Sequence, residues 1–220
     1  MKGYDLHLFL NSDVHIQIGN VLLQGRVAIP EQAKGMVLFS HGSGSSRFSP
    51  RNQKVAHKLQ EAGFGTLLFD LLTEQEDATY SNRFDLELLT KRLIAVTKWM
   101  SQQPYAESLP FAYFGASTGA ASALKAAVAL PQIQTIVCRG GRPDLVLDML
   151  PQIQIPVLLI VGEKDEEVLD LNLQAMKALP EGKELCIITG ATHLFEEPGK
   201  MEEVSNLAAN WFLTHLKTNK

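Results

Sequence analysis

The sequence predicts a single α/β domain over residues 1–220, with a mostly parallel, twisted sheet of about eight strands. An antiparallel N-terminal edge and helices on both faces complete the expectation. Three observations carry it. From residue 35 onward, short runs of consecutive apolar residues alternate with amphipathic helical patterns, which marks strands covered on both faces. Before residue 30 the apolar residues alternate with polar ones instead, as in strands with one wet face. The chain has 220 residues and is 45% hydrophobic, a length and composition that suit one domain with a substantial core.

The elements follow in order. Residues 4 to 30 read as antiparallel strands that include His7 and His15. Val14-His15-Ile16-Gln17-Ile18 alternates, Gly19-Asn20 signals a turn, and Val21 to Ile29 resumes the pattern. Met36-Val37-Leu38-Phe39 is a buried strand. Val55, Ala56, Leu59 and Ala62 mark a helix face that Gly63 closes. Thr66-Leu67-Leu68-Phe69 is the next strand, and Leu71 to Asp85 reads as a long irregular stretch over the carboxyl edge of the sheet. Leu86, Leu89, Leu93, Val96 and Met100 repeat at helical spacing. Phe111 to Phe114 is a strand, and residues 118 to 130 form a helix stopped by Pro131. Thr135-Ile136-Val137-Cys138 is a strand, with a short helix after Pro143. Val157 to Val161 is a strand, residues 166 to 178 a helix, and Glu184 to Thr189 the last strand. Met201, Val204, Ala208 and Trp211 mark the terminal helix. Trp99 and Trp211 fall on helix faces that pack on the sheet.

Composition excludes several functions. The net charge is −4 and no long basic run is present, so nucleic acid is not an expected partner. Cys138 and Cys186 lie in apolar strands without a C-x-x-C pattern; two free, buried thiols and no zinc site are expected. His57 and His215 fall on helices, and no histidines have metal-ligand spacing. The run from Met1 to Leu10 is short, interrupted and without a small-residue cleavage site, so no signal peptide is expected. No apolar run approaches the roughly 18 residues of a membrane helix. A cytoplasmic protein, monomer or homodimer, with no membrane partner is the expectation.

The chemistry centres on Gly115-Ala116-Ser117-Thr118-Gly119, between a strand and an alanine-rich helix. That layout is a nucleophile elbow: it holds a serine on a sharp turn, with glycine where a side chain would clash. A serine hydroxyl needs a base, a carboxylate to orient that base, and N–H donors for the oxyanion. His193, in the loop after the last strand, is the candidate base. Asp165, after the strand 157 to 161, is the candidate acid; Glu163 is its nearest rival, and Asp144 and Asp70 also lie at strand exits. The backbone N–H of Thr118 is one candidate oxyanion donor. The loop Ser40-His41-Gly42-Ser43-Gly44-Ser45-Ser46 supplies the other, from Ser43 or alternatively Gly44. His41 reads as a buttress of that loop. Arg47, with Arg51 close behind it, and Arg139 and Arg142 lie in two loops that follow parallel strands. They either bind a carboxylate or phosphate of the substrate or pair with Asp70, Glu74 or Asp144 and brace the loops.

These motifs, together with Phe69 to Glu74, Arg139 to Leu145, Gly162 to Asp165 and Gly190 to Glu197, resemble the α/β-hydrolase superfamily over nearly the whole chain. More narrowly, the chain is similar to dienelactone-hydrolase-like small hydrolases, a kind also found fused to phosphoribosyltransferase domains. The resemblance implies Ser117 as nucleophile, Asp165 as acid and His193 as base, with a small-molecule acyl substrate and no cofactor. The chain departs from the dienelactone hydrolases proper, which use cysteine where this sequence has Ser117, so esterase-type chemistry is the expectation. No room for a helical cap domain exists between Cys138 and Val157. The same three residues also serve acyl transfer to an acceptor other than water. A binding protein on this scaffold would ordinarily lack one of them.

Overall fold

In a computed structural model, which describes residues 8–217, the eight expected strands form one sheet. They are β1 (Leu8–Ile18), β2 (Val21–Pro30), β3 (Met36–Ser40), β4 (Gly65–Phe69), β5 (Phe111–Ala116), β6 (Ile133–Arg139), β7 (Val157–Gly162) and β8 (Lys183–Ile188). Their spatial order is β1-β2-β4-β3-β5-β6-β7-β8. β1, β2 and β4 pair antiparallel, and every pairing from β4 through β3 to β8 is parallel. Residues 4 to 7 of the expected first strand, His7 included, lie outside the described residues. At the β1–β2 hairpin Ile18 pairs with Val21, leaving Gly19 and Asn20 as a two-residue loop. Gly19 has φ +55, a value that hairpin loops of this length require and glycine adopts freely.

The helices are α1 (Pro50–Glu61), α2 (Glu74–Asp77), α3 (Leu86–Met100), α4 (Thr118–Ala129), α5 (Glu166–Ala178) and α6 (Lys200–His215). Successive residues of β3 enter opposite layers. Leu38 joins a cluster with Leu89 and Leu93 of α3 and Leu124 of α4. Val37 and Phe39 join one with Val55 and Leu59 of α1 and Val204 and Phe212 of α6. This is why the central strands read as unbroken apolar runs: both faces are covered. Trp211 is buried in the second layer, and its indole N–H donates to Thr135 Oγ1 at 2.8 Å.

Two expectations are corrected here. The stretch Leu71 to Asp85 is not irregular: it contains α2 and a 3-10 turn over Tyr80–Phe84. A local capping box orders it. Thr73 Oγ1 accepts the Glu76 N–H at 3.1 Å, and Glu76 Oε2 accepts the Thr73 N–H at 2.9 Å. Both cysteines are free, but only Cys138 is buried; Cys186 is partly exposed because β8 is an edge strand. The connection from β6 to β7 holds two 3-10 turns, Pro143–Val146 and Leu150–Gln152, and no cap domain. No described helix is long and apolar enough to cross a membrane.

Candidate active site

Ser117 is the one residue between β5 and α4, and its backbone is strained, with φ 52 and ψ −124. Such a conformation costs about 1–3 kcal/mol in a residue other than glycine. Its surroundings hold it there. The Ser117 N–H donates to the Arg139 carbonyl at 3.1 Å, and its own carbonyl accepts from Ala120 and Arg142 at 3.0 and 3.2 Å. The two elbow glycines have steric reasons. A Cβ on Gly115 would lie 2.5 Å from Ala120 Cα, and one on Gly119 would lie 2.2 Å from the Ser40 carbonyl oxygen. Gly42 lets the next loop approach the serine: a Cβ there would be 3.0 Å from Ser117 Cβ. Although Ser117 occupies the N-cap of α4, its side chain makes no capping bond, so the hydroxyl is not consumed by the helix.

Asp165 lies at the N-cap of α5 and likewise makes no side-chain cap. Its Oδ2 is instead 2.6 Å from His193 Nδ1. With the carboxylate accepting, Nδ1 carries the proton and Nε2 presents a free lone pair. The other acidic residues are engaged elsewhere. Glu163 Oε2 accepts the Gly190 N–H at 2.7 Å. Asp144 holds Arg142 through two bonds of 2.8 Å, and Asp70 pairs with Arg47. The His193 loop is further braced by Glu197 Oε1, which accepts the Thr192 N–H at 3.0 Å, and by buried Phe195. This bracing by Glu163 and Glu197 was not anticipated from sequence; the only signal is a carboxylate a few residues from each end of the pair. Gly140 touches the imidazole, its Cβ position lying 3.2 Å from His193 Cε1. The structure therefore joins Asp165 to His193 and sets both beside the β6 turn that anchors Ser117. No hydrogen bond links the Ser117 hydroxyl to His193; such contacts between a nucleophile and its base are often long and tighten with substrate.

The Ser40 to Ser46 loop differs from expectation in one respect. The Ser43 N–H is not free: it donates to Thr118 Oγ1 at 2.9 Å. The Thr118 N–H, in the first turn of α4, lacks an intrahelical acceptor. His41 is buried beneath the loop. Its Nε2 accepts the Leu71 N–H at 3.1 Å, and Nδ1 lies 3.0 Å from the Gly42 carbonyl, so the neutral tautomer satisfies both neighbours. Desolvation lowers its pKa from the usual histidine value. Unfolding thus lets His41 take up a proton that the native state refuses. Stability from this group is intact above the unfolded pKa near 6.5 and falls as pH drops below it, by at most about 1.4 kcal/mol per pH unit. Urea midpoints between pH 7 and pH 5 should fall more steeply for the parent than for His41→Gln; equal slopes would contradict this account.

The arginines separate into two groups. Arg47 pairs with Asp70 and stacks on Phe48, 4.1 Å from the ring centre, while Arg142 is held by Asp144. Both brace their loops. Arg139 is only 6% exposed and has no carboxylate partner among the described residues. Burial and the charge of nearby Arg51 pull it down to about 10, so it is still a full cation at neutral pH. A cleft of about 550 Å³ lies beside the Ser40 to Ser46 loop, lined among others by His41, Ser45, Arg47, Asp70, Leu72 and Glu74. Neither Ser117 nor His193 lines it. The 71–85 stretch forms part of its wall.

The fold and this arrangement define an α/β hydrolase. The chain belongs to that family: the family model described as an alpha/beta hydrolase domain matches residues 33–212. A Mycobacterium tuberculosis protein, provisionally named a phosphoribosyl transferase, is 51% identical over 208 residues. That match covers 94% of this chain and 47% of the relative, so the chain spans about half the length of that protein. A crystal structure described as dienelactone hydrolase from Anabaena variabilis is 47% identical with a TM-score of 0.92, covering 94% of this chain and 99% of that one. Est1E from Butyrivibrio proteoclasticus shares the fold at 16% identity, with a TM-score of 0.80 over 92% of this chain and 98% of its own.

Proposed function

We propose that the chain is a serine hydrolase that cleaves an ester or related acyl bond through an acyl-serine intermediate. The observation that carries this reading is the 2.6 Å contact between Asp165 and His193 Nδ1 beside a serine held at φ 52. The contact leaves His193 Nε2 as the base. It takes the Ser117 proton as Oγ attacks the acyl carbon. The developing oxyanion meets the Thr118 N–H and a loop N–H, from Ser43 once Thr118 Oγ1 releases it or from Gly44. Each such donor is worth about 2.7–4 kcal/mol of barrier. As the intermediate collapses, His193 returns the proton to the leaving group, and water then repeats the sequence on the acyl-serine. The dienelactone hydrolase name of the 47% identical structure favours an ester bond. A lactone is a cyclic ester, and a serine nucleophile opens it by the same steps.

A fluorophosphonate should label the native protein on Ser117, as read by mass spectrometry of the adduct peptide. Labelling should vanish in Ser117→Ala and fall sharply in His193→Ala. A folded parent protein that takes up no label would overturn the proposal.

A further inference from the structure

Arg139 ends β6, and its carbonyl accepts the Ser117 N–H at 3.1 Å. Side chains alternate along a strand. Thr135, which bonds Trp211 of α6, and Val137, in the α1–α6 layer, set the direction in which Arg139 points. It reaches beneath the His193 loop, with its guanidinium carbon 5.9 Å from the centre of the Phe195 ring. There it meets Arg51 of α1, whose charge acts on it.

Arg51 has a carboxylate partner, with Glu196 Oε1 3.0 Å from its Nη1, whereas Arg139 has no ion pair among the described residues. The Nε atoms of both arginines are sealed from solvent without a hydrogen-bond acceptor. A buried cation is costly unless it is paired, and with Glu196 held by Arg51 the charge of Arg139 is left unmatched. Guanidinium is the side chain whose fork matches a carboxylate or phosphate. Arg47 and Arg142 are spent on Asp70 and Asp144; Arg139 is not spent.

We propose that Arg139, assisted by Arg51, binds an anionic group of the substrate, a carboxylate or a phosphate, and so makes the enzyme selective for negatively charged acyl substrates. This rests on the serine-hydrolase reading for its kinetic consequence but not for anion binding itself. Arg139 is one residue from Gly140, which touches His193, and its carbonyl anchors the nucleophile.

The test compares mono-4-nitrophenyl glutarate with 4-nitrophenyl valerate, which share acyl length and leaving group and differ in the terminal carboxylate. At low ionic strength the parent should favour the glutarate ester by roughly tenfold or more in kcat/KM. Arg139→Met should lose about tenfold more on glutarate than on valerate, and Arg139→Lys should recover only part of that loss. Inorganic phosphate should raise the melting temperature of the parent and not that of Arg139→Met. In anion-free buffer Arg139→Met should melt no lower than the parent, because it removes an unpaired buried charge. Equal losses on the two esters, or equal phosphate shifts in parent and variant, would overturn the proposal. If Arg139→Met does not fold, the same ratios and shifts are read on Arg139→Lys and Arg51→Gln, with diminished selectivity and diminished phosphate response expected. A parent that neither labels at Ser117 nor turns over either ester would refute the hydrolase reading alone; the phosphate comparison would still decide the anion site.

Discussion

Replacing Asp165 with asparagine should lower kcat for an activated ester by about 10⁴-fold while leaving the melting temperature close to that of the parent. Two effects combine. On the proposed mechanism the carboxylate, 2.6 Å from Nδ1, fixes the imidazole with its proton there and stabilises the imidazolium that forms when Ser117 gives up its proton. Asparagine can turn its amide toward Nδ1 and so favour the opposite tautomer, which has no lone pair left at Nε2. The side chain is nearly isosteric and makes no helix cap, so stability is not at stake. Glu163→Gln is the informative companion. It weakens a loop contact to Gly190 and should cost no more than about tenfold, since no proton moves through it. Steady-state rates of the two variants distinguish the candidate acids directly. Near-parental activity in Asp165→Asn would mean that another group orients His193.

Gly119→Ala should destabilise the fold by about 3 kcal/mol or more and lower activity by at least about 100-fold. A Cβ at this position would sit 2.2 Å from the Ser40 carbonyl oxygen and 2.4 Å from that of His41. Backbone atoms cannot rotate away as a side chain can. The start of α4 must therefore lift from the end of β3 by about 1 Å, the scale of displacement that undoes a preorganised site. That shift moves Ser117, the Thr118 N–H and the bond from Ser43 to Thr118 Oγ1 together. Gly44→Ala is the contrasting case. Nothing lies within 4 Å of its Cβ position, but its φ is +67, so only a backbone penalty of roughly 1 kcal/mol applies. Urea unfolding of both variants reads the difference. Parental stability in Gly119→Ala would show that the helix and strand are not locked as closely as their glycine contact implies.

The apolar runs of β3 to β7 were legible because burial on both faces leaves no polar alternation, and this alone separates the parallel strands from the N-terminal hairpin. The insertion of β3 between β4 and β5 was not legible, since neighbour order depends on how helices cross the sheet. Thr73-x-x-Glu76 is a readable capping box, yet α2 is four residues long and has no apolar period to announce it. Ser117, Asp165 and His193 could be named from strand exits and chain order. What occupies the Ser43 N–H could not, because the Thr118 hydroxyl reaches it across 75 residues of sequence. The arginines show the same limit. Arg142 has its acidic partner two residues away, whereas the isolation of Arg139 appears only when every nearby carboxylate has been matched to another donor.

The order of strands in the sheet also carries a consequence for how the chain is made. Ser117, Asp165 and His193 follow β5, β7 and β8, and the contact between the last two spans 28 residues. None of this geometry exists in a local segment, so the contact between Asp165 and His193 can form only once β8 has emerged and docked. Before that moment β7, six buried residues reading VLLIVG, is an uncovered apolar edge of the kind that recruits other chains into aggregates. The docking of β8, with Lys183 and Glu184 on the new rim, covers that apolar strand with a more polar edge and brings His193 to Asp165 in one event. The step that brings His193 to Asp165 is therefore the same step that covers β7.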